Sequence, residues 1–221
     1  MINNALFLFS VFLTTAFAWG FLKLGKGALI TWIALSGLLA NLFVLKQITI
    51  FGLNATASDI FAVSGLFSLN LLQEYFGKSA TKEAIWASLT CLIAFTVLSQ
   101  IHLLYLPSTF DEAHPAYHQI FQHTPRIFFA SITTLFIVQQ FDSRFYPFLR
   151  TKLSHLPMLL TSSLSILISQ LLDTALFSLL GLYGLVSALF EIFVMCYSIK
   201  VLTILCLPGM AALSKKMIQN D

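Results

Sequence analysis

Charge is scarce in this sequence. Of 221 residues only 10% are Asp, Glu, Lys or Arg, against about a quarter in a soluble domain. A soluble fold of this size could not hide the apolar remainder, whereas a bilayer can, because lipid is then the solvent. Cysteine is also sparse. Cys91, Cys196 and Cys206 all sit inside apolar runs, and their spacing fits neither a disulfide framework nor a zinc site. No GxxxxGK pattern followed by Ser or Thr occurs, which excludes ATP hydrolysis by a P-loop. No dense basic cluster suggests a nucleic-acid partner, and period-2 alternation is lacking, which argues against a transmembrane β-barrel. Residues Met1 to Asn4 carry no basic side chain. A cleaved leader normally needs one, so the Ala16-Phe17-Ala18 run is expected to remain uncleaved. Asn54-Ala55-Thr56 fits a glycosylation acceptor, a weak signal in isolation.

What is present is apolar length. Hydrophobic residues make up 58% of the chain, with 22 Phe, and mean hydropathy is +0.88. Seven stretches are long enough to span, near 5–22, 27–45, 58–76, 84–104, 126–148, 157–180 and 185–207, given that a span needs about 20 residues. The fold class expected is an all-α, polytopic transmembrane helix bundle with no soluble domain. Basic residues fall in alternate loops: Lys23 and Lys26, then Lys78 and Lys82, then Arg144, Arg150 and Lys152, then Lys215 and Lys216. By the positive-inside rule the N-terminus is expected outside and the C-terminus in the cytoplasm. The basic-poor loop 105–125 holds Asp111, Glu112, His114, His118 and His123. His114 and His118 have i, i+4 metal-ligand spacing. Pro115 between them disfavours a regular helix, so a solvated loop without metal is expected.

Residues 130–149 and 161–180 form a repeat at an offset of 31. Ser131 matches Ser162, Gln139 matches Gln170, Asp142 matches Asp173, and Thr134 lies opposite Ser165. Adjacent helices with such matches have opposite orientations in the membrane, as in inverted-repeat transporters. At 100° per residue, Ser162, Ser165, Ser169 and Asp173 fall within about 80° of arc, with Gln170 about 60° beyond. Hydroxyls alone would fit a close-packed helix seam. The carboxylates need more, because an Asp at mid-membrane costs about 2.5–3.5 kcal/mol on insertion scales. They point to a solute or ion pathway.

Other polar groups at membrane depth are Asn41, Asn70, Glu74, Glu191 and Lys200. Counted from the expected outer ends of their spans, Asp142 and Lys200 share a level, which suggests an ion pair between them. Asn41, Gln170, Asp173 and Glu191 fall at a shallower level. Lys200 could instead snorkel to the cytoplasmic surface. Glu191 and Lys200, nine residues apart, lie on opposite sides of one helix.

Several stretches together resemble the queuosine precursor transporter family, within a vitamin-uptake-like group. They are Asn41 ahead of VLKQ, LNLLQEYFGKSATKEA at 69–84, RIFFAS at 126–131, QQFD at 139–142, SQLLDT at 169–174 followed by Phe177, and YSIKVL at 197–202. The resemblance covers roughly residues 35–210. It departs at Asn70, where members often carry Asp. It implies import of a 7-deazaguanine base (preQ0, preQ1 or queuine) for tRNA modification, through a bacterial inner membrane. It also implies a six-helix core, residues 26–221, similar to energy-coupling-factor substrate-binding subunits, with residues 1–25 as an additional transmembrane helix. No cofactor is implied. A separate energising module or a homo-oligomer stays open. The substrate-binding candidates are Asn41, Asn70, Glu74, Gln139, Asp142, Gln170, Asp173, Phe177, Glu191 and Lys200. Asp173 is the expected acceptor for the base's N1–H and exocyclic amine, and Gln170 or Asn41 the donor to its ring carbonyl. An intramembrane enzyme would need a nucleophile beside a base, or a metal cluster within the bundle. No histidine falls with an acidic partner at useful spacing inside a span. A non-transporting scaffold would not need Asp, Gln and Lys aligned at bilayer depth.

Overall fold

The computed structural model describes residues 2–155 and 158–218, without the side chains of 158, 159, 162, 163 and 205–218. Ser162, Cys206, Lys215 and Lys216 therefore lie outside the described side chains. The helices are α1 (Ile2–Lys23), α2 (Lys26–Phe43), α3 (Asp59–Leu103), α4 (His114–Phe121), α5 (Thr124–Lys152), α6 (Met158–Phe177) and α7 (Leu189–Ile218). A two-stranded antiparallel hairpin, β1 (Gln47–Ile50) and β2 (Leu53–Thr56), separates α2 from α3. The chain divides into two compact units, residues 1–128 and 129–221.

This is a helical membrane protein. Among the described residues, four helical segments are long and apolar enough to cross a bilayer: Ile2–Lys23, Lys26–Phe43, Asp59–Leu103 and Leu164–Leu182. The third has 45 residues, about 67 Å at 1.5 Å per residue, roughly twice a hydrocarbon core of about 30 Å. Its helical backbone breaks at Gly77, with φ 80° and ψ 177°. The two arms, 59–76 and 78–103, each have spanning length and correspond to the third and fourth expected spans. The expected inter-span loop shrinks to that single residue. Helices α5 and α7 are long enough too, but they carry charge into their apolar runs (Asp142 and Arg144 in α5, Glu191 and Lys200 in α7).

In the first unit Trp32 is the hub of three helices. Its ring stacks on Phe21 at 5.3 Å and meets Phe17 at 5.5 Å, both from α1. Its indole N–H donates to Ser64 Oγ of α3 at 3.1 Å. Ser36, Ser64 and Ser68 are buried along the α2–α3 seam, the small-residue packing that lets membrane helices approach closely. Lys26 at the start of α2 pairs with Glu83 of α3. The lysine-bearing segments 23–26 and 78–82 therefore share one end of this unit, as the charge alternation requires. Ala18, in the run that resembles a cleavage site, is fully buried inside α1.

The hairpin was expected as plain loop. Its two-residue turn has φ 49° at Phe51 and φ 86° at Gly52, the doubly positive pattern of a type I′ turn. Asn3 Nδ2 donates to the Thr49 carbonyl at 3.2 Å, and Phe51 N–H donates to Asn4 Oδ1 at 3.0 Å. The start of α1 thus ties down the turn. Residues 114–121, also expected as loop, form a helix because Pro115 falls in its first turn, where a missing N–H costs nothing. The His114 and His118 rings lie 6.4 Å apart. Among the described residues no third ligand-type side chain joins them.

In the second unit α6 runs into a π-helical turn, Ser178–Leu182. There Gly181 lets the Phe177 ring and Ala130 close in, since a Cβ on Gly181 would meet both at 3.3 Å.

The break at Gly77 is a conformational demand, because an added Cβ would meet nothing within 4 Å. Gly77→Ala is expected to destabilise by about 1–3 kcal/mol, the cost of such backbone strain, measured as a lower Tm in detergent. Gly20→Ala, equally open but in ordinary helix, is expected to leave Tm level or raise it. Equal Tm values for the two variants would show that the break carries no strain.

Candidate functional site

Helix α6 presents Ser165, Ser169 and Asp173 at successive turns, a stripe within about 80° of arc. Each member is met by a neighbouring helix of the second unit. Ser165 and Ser169 are buried, at 1% and 5% exposure. Their hydroxyls donate to one oxygen of Asp142 on α5, Oδ1, at 2.9 and 2.7 Å. One turn further along α6, Asp173 Oδ2 receives the Lys200 ammonium of α7 at 2.6 Å. The same ammonium donates to Thr174 Oγ1 at 3.2 Å. The Asp173 and Lys200 side chains are 28% and 15% exposed, so the pair is largely desolvated. Tyr197, one turn before Lys200 on α7, donates its hydroxyl to the Leu167 carbonyl of α6 at 3.3 Å.

This corrects the expected pairing. Lys200 meets Asp173 instead of Asp142, and it does not snorkel away to the cytoplasmic surface. Side chains on a helix lean toward its N-terminus, and a lysine is long, so equal depth of Cα atoms was the wrong criterion. Asp142 and Asp173, equivalent in the repeat, have different company: two hydroxyls for one, an ammonium for the other. Of the donors, Ser165 and Ser169 were visible as part of the stripe. Thr174 was not singled out, although it follows Asp173 directly, and a Thr beside an Asp within an apolar span is the available signal.

The remaining candidates divide between the units. Gln170 and Phe177 are half-buried on α6, and Gln139 is exposed on α5. Glu191 lies in the first turn of α7, where the helix dipole stabilises a carboxylate whatever its function. Asn41, Asn70 and Glu74 belong to the first unit. The Asn41 and Asn70 amides donate to the carbonyls four residues back, Gly37 at 2.9 Å and Leu66 at 2.8 Å. Asn70 and Glu74 are exposed.

Chemically, the second unit holds a desolvated ion pair with an acceptor and a donor side by side, and a separate carboxylate seated on hydroxyls. Both lie within the apolar length of the chain. Such groups at membrane depth are costly to keep.

Comparison with known proteins bears on the same segment. Residues 56–213 match a family model, Vut_1, described as "Putative vitamin uptake transporter". The chain is 30% identical to a Bacillus subtilis (strain 168) protein named "Probable queuosine precursor transporter", over 100% of this chain and 98% of the relative. No solved structure matches the chain. The matched segment contains Asp142, Ser165, Ser169, Asp173, Thr174 and Lys200, and the chain belongs to this vitamin-uptake family of membrane transporters.

Proposed function

We propose that this protein imports a queuosine precursor, a 7-deazaguanine base such as preQ0, preQ1 or queuine, across a bacterial cell membrane for tRNA modification. The N-terminus lies outside and the Lys26–Glu83 end of the first unit faces the cytoplasm, following the positive-inside rule. The observation that carries the proposal is the Asp173–Lys200 pair. A guanine-like edge presents a ring carbonyl, which accepts, beside N1–H and an exocyclic amine, which donate. The pair presents the complement. Asp173 accepts from N1–H and the amine, and Lys200 or Gln170 donates to the carbonyl. Among the described residues Asp173 Oδ1 has no partner, so the carboxylate can accept from a base while Oδ2 keeps its ammonium. Charge-assisted bonds of this kind are strong where water is excluded. The edge of adenine would leave both groups mispaired, the basis on which polar sites reject analogues. Phe177, three residues after the SQLLDT segment at 169–174, offers an aromatic face. The name of the full-length relative supports the same substrate class.

Asp173→Asn keeps the shape and loses the charge. Uptake of labelled precursor in cells that cannot make queuosine is expected to fall about 10- to 100-fold, the equivalent of one charged hydrogen bond of about 1.5–3 kcal/mol. Normal uptake by an inserted variant would end this role for Asp173. Supplying preQ0, preQ1 and queuine separately to the same cells identifies the precursor.

Lys200→Met leaves Asp173 as an uncompensated buried charge. It is expected to destabilise the protein by about 3–5 kcal/mol, measured as Tm in detergent. Adding Asp173→Asn to Lys200→Met is expected to recover most of that loss without recovering uptake. Recovery of uptake by the double variant would mean that the pair is structural alone.

A further inference from the structure

Asp142 and Asp173 sit on equivalent positions of a repeat, yet only one has a cation. The ammonium of Lys200 lies on Asp173 Oδ2 at 2.6 Å. Asp142 has two buried serine hydroxyls on Oδ1. Among the described residues it has no ion pair, and its second oxygen has no hydrogen-bond partner. On α5 the charged groups besides Arg144, namely Arg126, Arg150 and Lys152, lie two or more helical turns from Asp142. Arg144 is exposed, and Tyr146 lies one turn beyond Asp142 on α5. On α6 the next such group is Asp173. On α7, among the described side chains, the charged and titratable groups are Glu191 in the first turn, Cys196, Tyr197, bonded to the Leu167 carbonyl, and Lys200, paired with Asp173. A half-buried carboxylate at bilayer depth with no counter-cation is costly as a permanent anion.

We propose that Asp142 is a proton-binding site and that uptake is driven by proton entry. A proton from the outer side adds to the free Oδ2, converting carboxylate to carboxylic acid, and leaves to the cytoplasm when the site opens inward. No other bond is made or broken. The seat suits both states, because Oδ1 accepts the same two hydroxyl protons whether Asp142 is ionised or neutral. It does not suit a hard metal cation, which takes about six or more oxygen ligands. Here the hydroxyls face the carboxylate as donors. The two carboxylates thus divide the labour: the cation-locked one reads substrate, and the hydroxyl-seated one carries the driving ion.

The inference rests on the transport reading above, and the test separates the two. The full chain is reconstituted in liposomes, and labelled preQ1 (or whichever precursor the cells take up) is followed in two modes: exchange without gradients, and net uptake under an imposed gradient. With one proton per substrate, one pH unit, acid outside, drives about tenfold accumulation. A protonophore abolishes it, and a sodium gradient does not replace it. In Asp142→Asn the ratio of gradient-driven uptake to exchange is expected to fall about tenfold, to the value without a gradient. In Asp173→Asn both modes fall together. Gradient-insensitive net uptake, sodium-driven uptake, or an Asp142→Asn variant that still responds to pH would overturn the proton assignment. Absence of exchange by the wild type would instead sink the substrate proposal. The proton site is then decided by infrared difference spectra. A protonated-carboxyl band that changes with pH in the wild type and vanishes in Asp142→Asn supports it, and its absence from the wild type overturns it. Should Asp142→Asn fail to fold, Ser165→Ala/Ser169→Ala is read in its place. Net uptake is then expected to show a pH dependence displaced from the wild type, and an unmoved profile overturns the assignment.

Discussion

A charge taken to the middle of a bilayer must find a partner there, and the second unit is organised by that requirement. Lys200 and Asp173 satisfy each other at 2.6 Å, with Thr174 as a second acceptor for the ammonium. Neither charge would be tolerable alone at that depth, since losing one partner of a buried pair strands the other. The pair also links α6 to α7 at a fixed register, and Tyr197 on the Leu167 carbonyl adds a second polar link between the same helices. Asp142 makes the equivalent link between α5 and α6 with hydroxyls in place of an ammonium. Helix α6 is therefore the shared spine, and its serine and aspartate stripe is the surface on which both neighbours are registered.

The same constraint explains what was legible in the sequence. Helix positions were readable because apolar length is a requirement of the membrane itself, and α1, α2, both arms of α3, α5 and α6 fall close to the expected spans. The stripe on α6 was readable because it depends only on helical period. The hairpin was not. Its strands are four residues each, too short for alternation to stand out. Its turn places Phe51, a non-glycine residue, at positive φ, which no turn signature anticipates. Helix α4 was hidden by treating Pro115 as a breaker, when in a first turn it is a starter. The partner of Lys200 was missed because depth counted by residue number takes no account of the length and lean of a lysine side chain.

Repeats in transporters are usually discussed as symmetry. Here the broken symmetry is the informative part. Residues 139–142 and 170–173 carry the same Gln and Asp, yet Gln139 is exposed where Gln170 is half-buried, and only the second Asp meets a lysine. One lysine on α7 is enough to make them unequal, because it gives one carboxylate a counter-charge and leaves the other with hydroxyls, which do not neutralise charge.

The two differently dressed carboxylates lie about 9 Å apart along α6, taking the midpoint between Ser165 and Ser169 for Asp142 and 1.5 Å of rise per residue. Over that distance, in a medium of low polarity, the charge state of one is felt by the other far more than it would be in water. Neutralising Asp142 removes a negative charge near the Asp173–Lys200 pair. That lowers the competing attraction for the ammonium and holds it more firmly on Asp173. A change of charge at one carboxylate can therefore bias the other through electrostatics along a single helix, without a mechanical relay. A stripe of three residues at successive turns is sufficient to build that coupling, and the repeat supplies it.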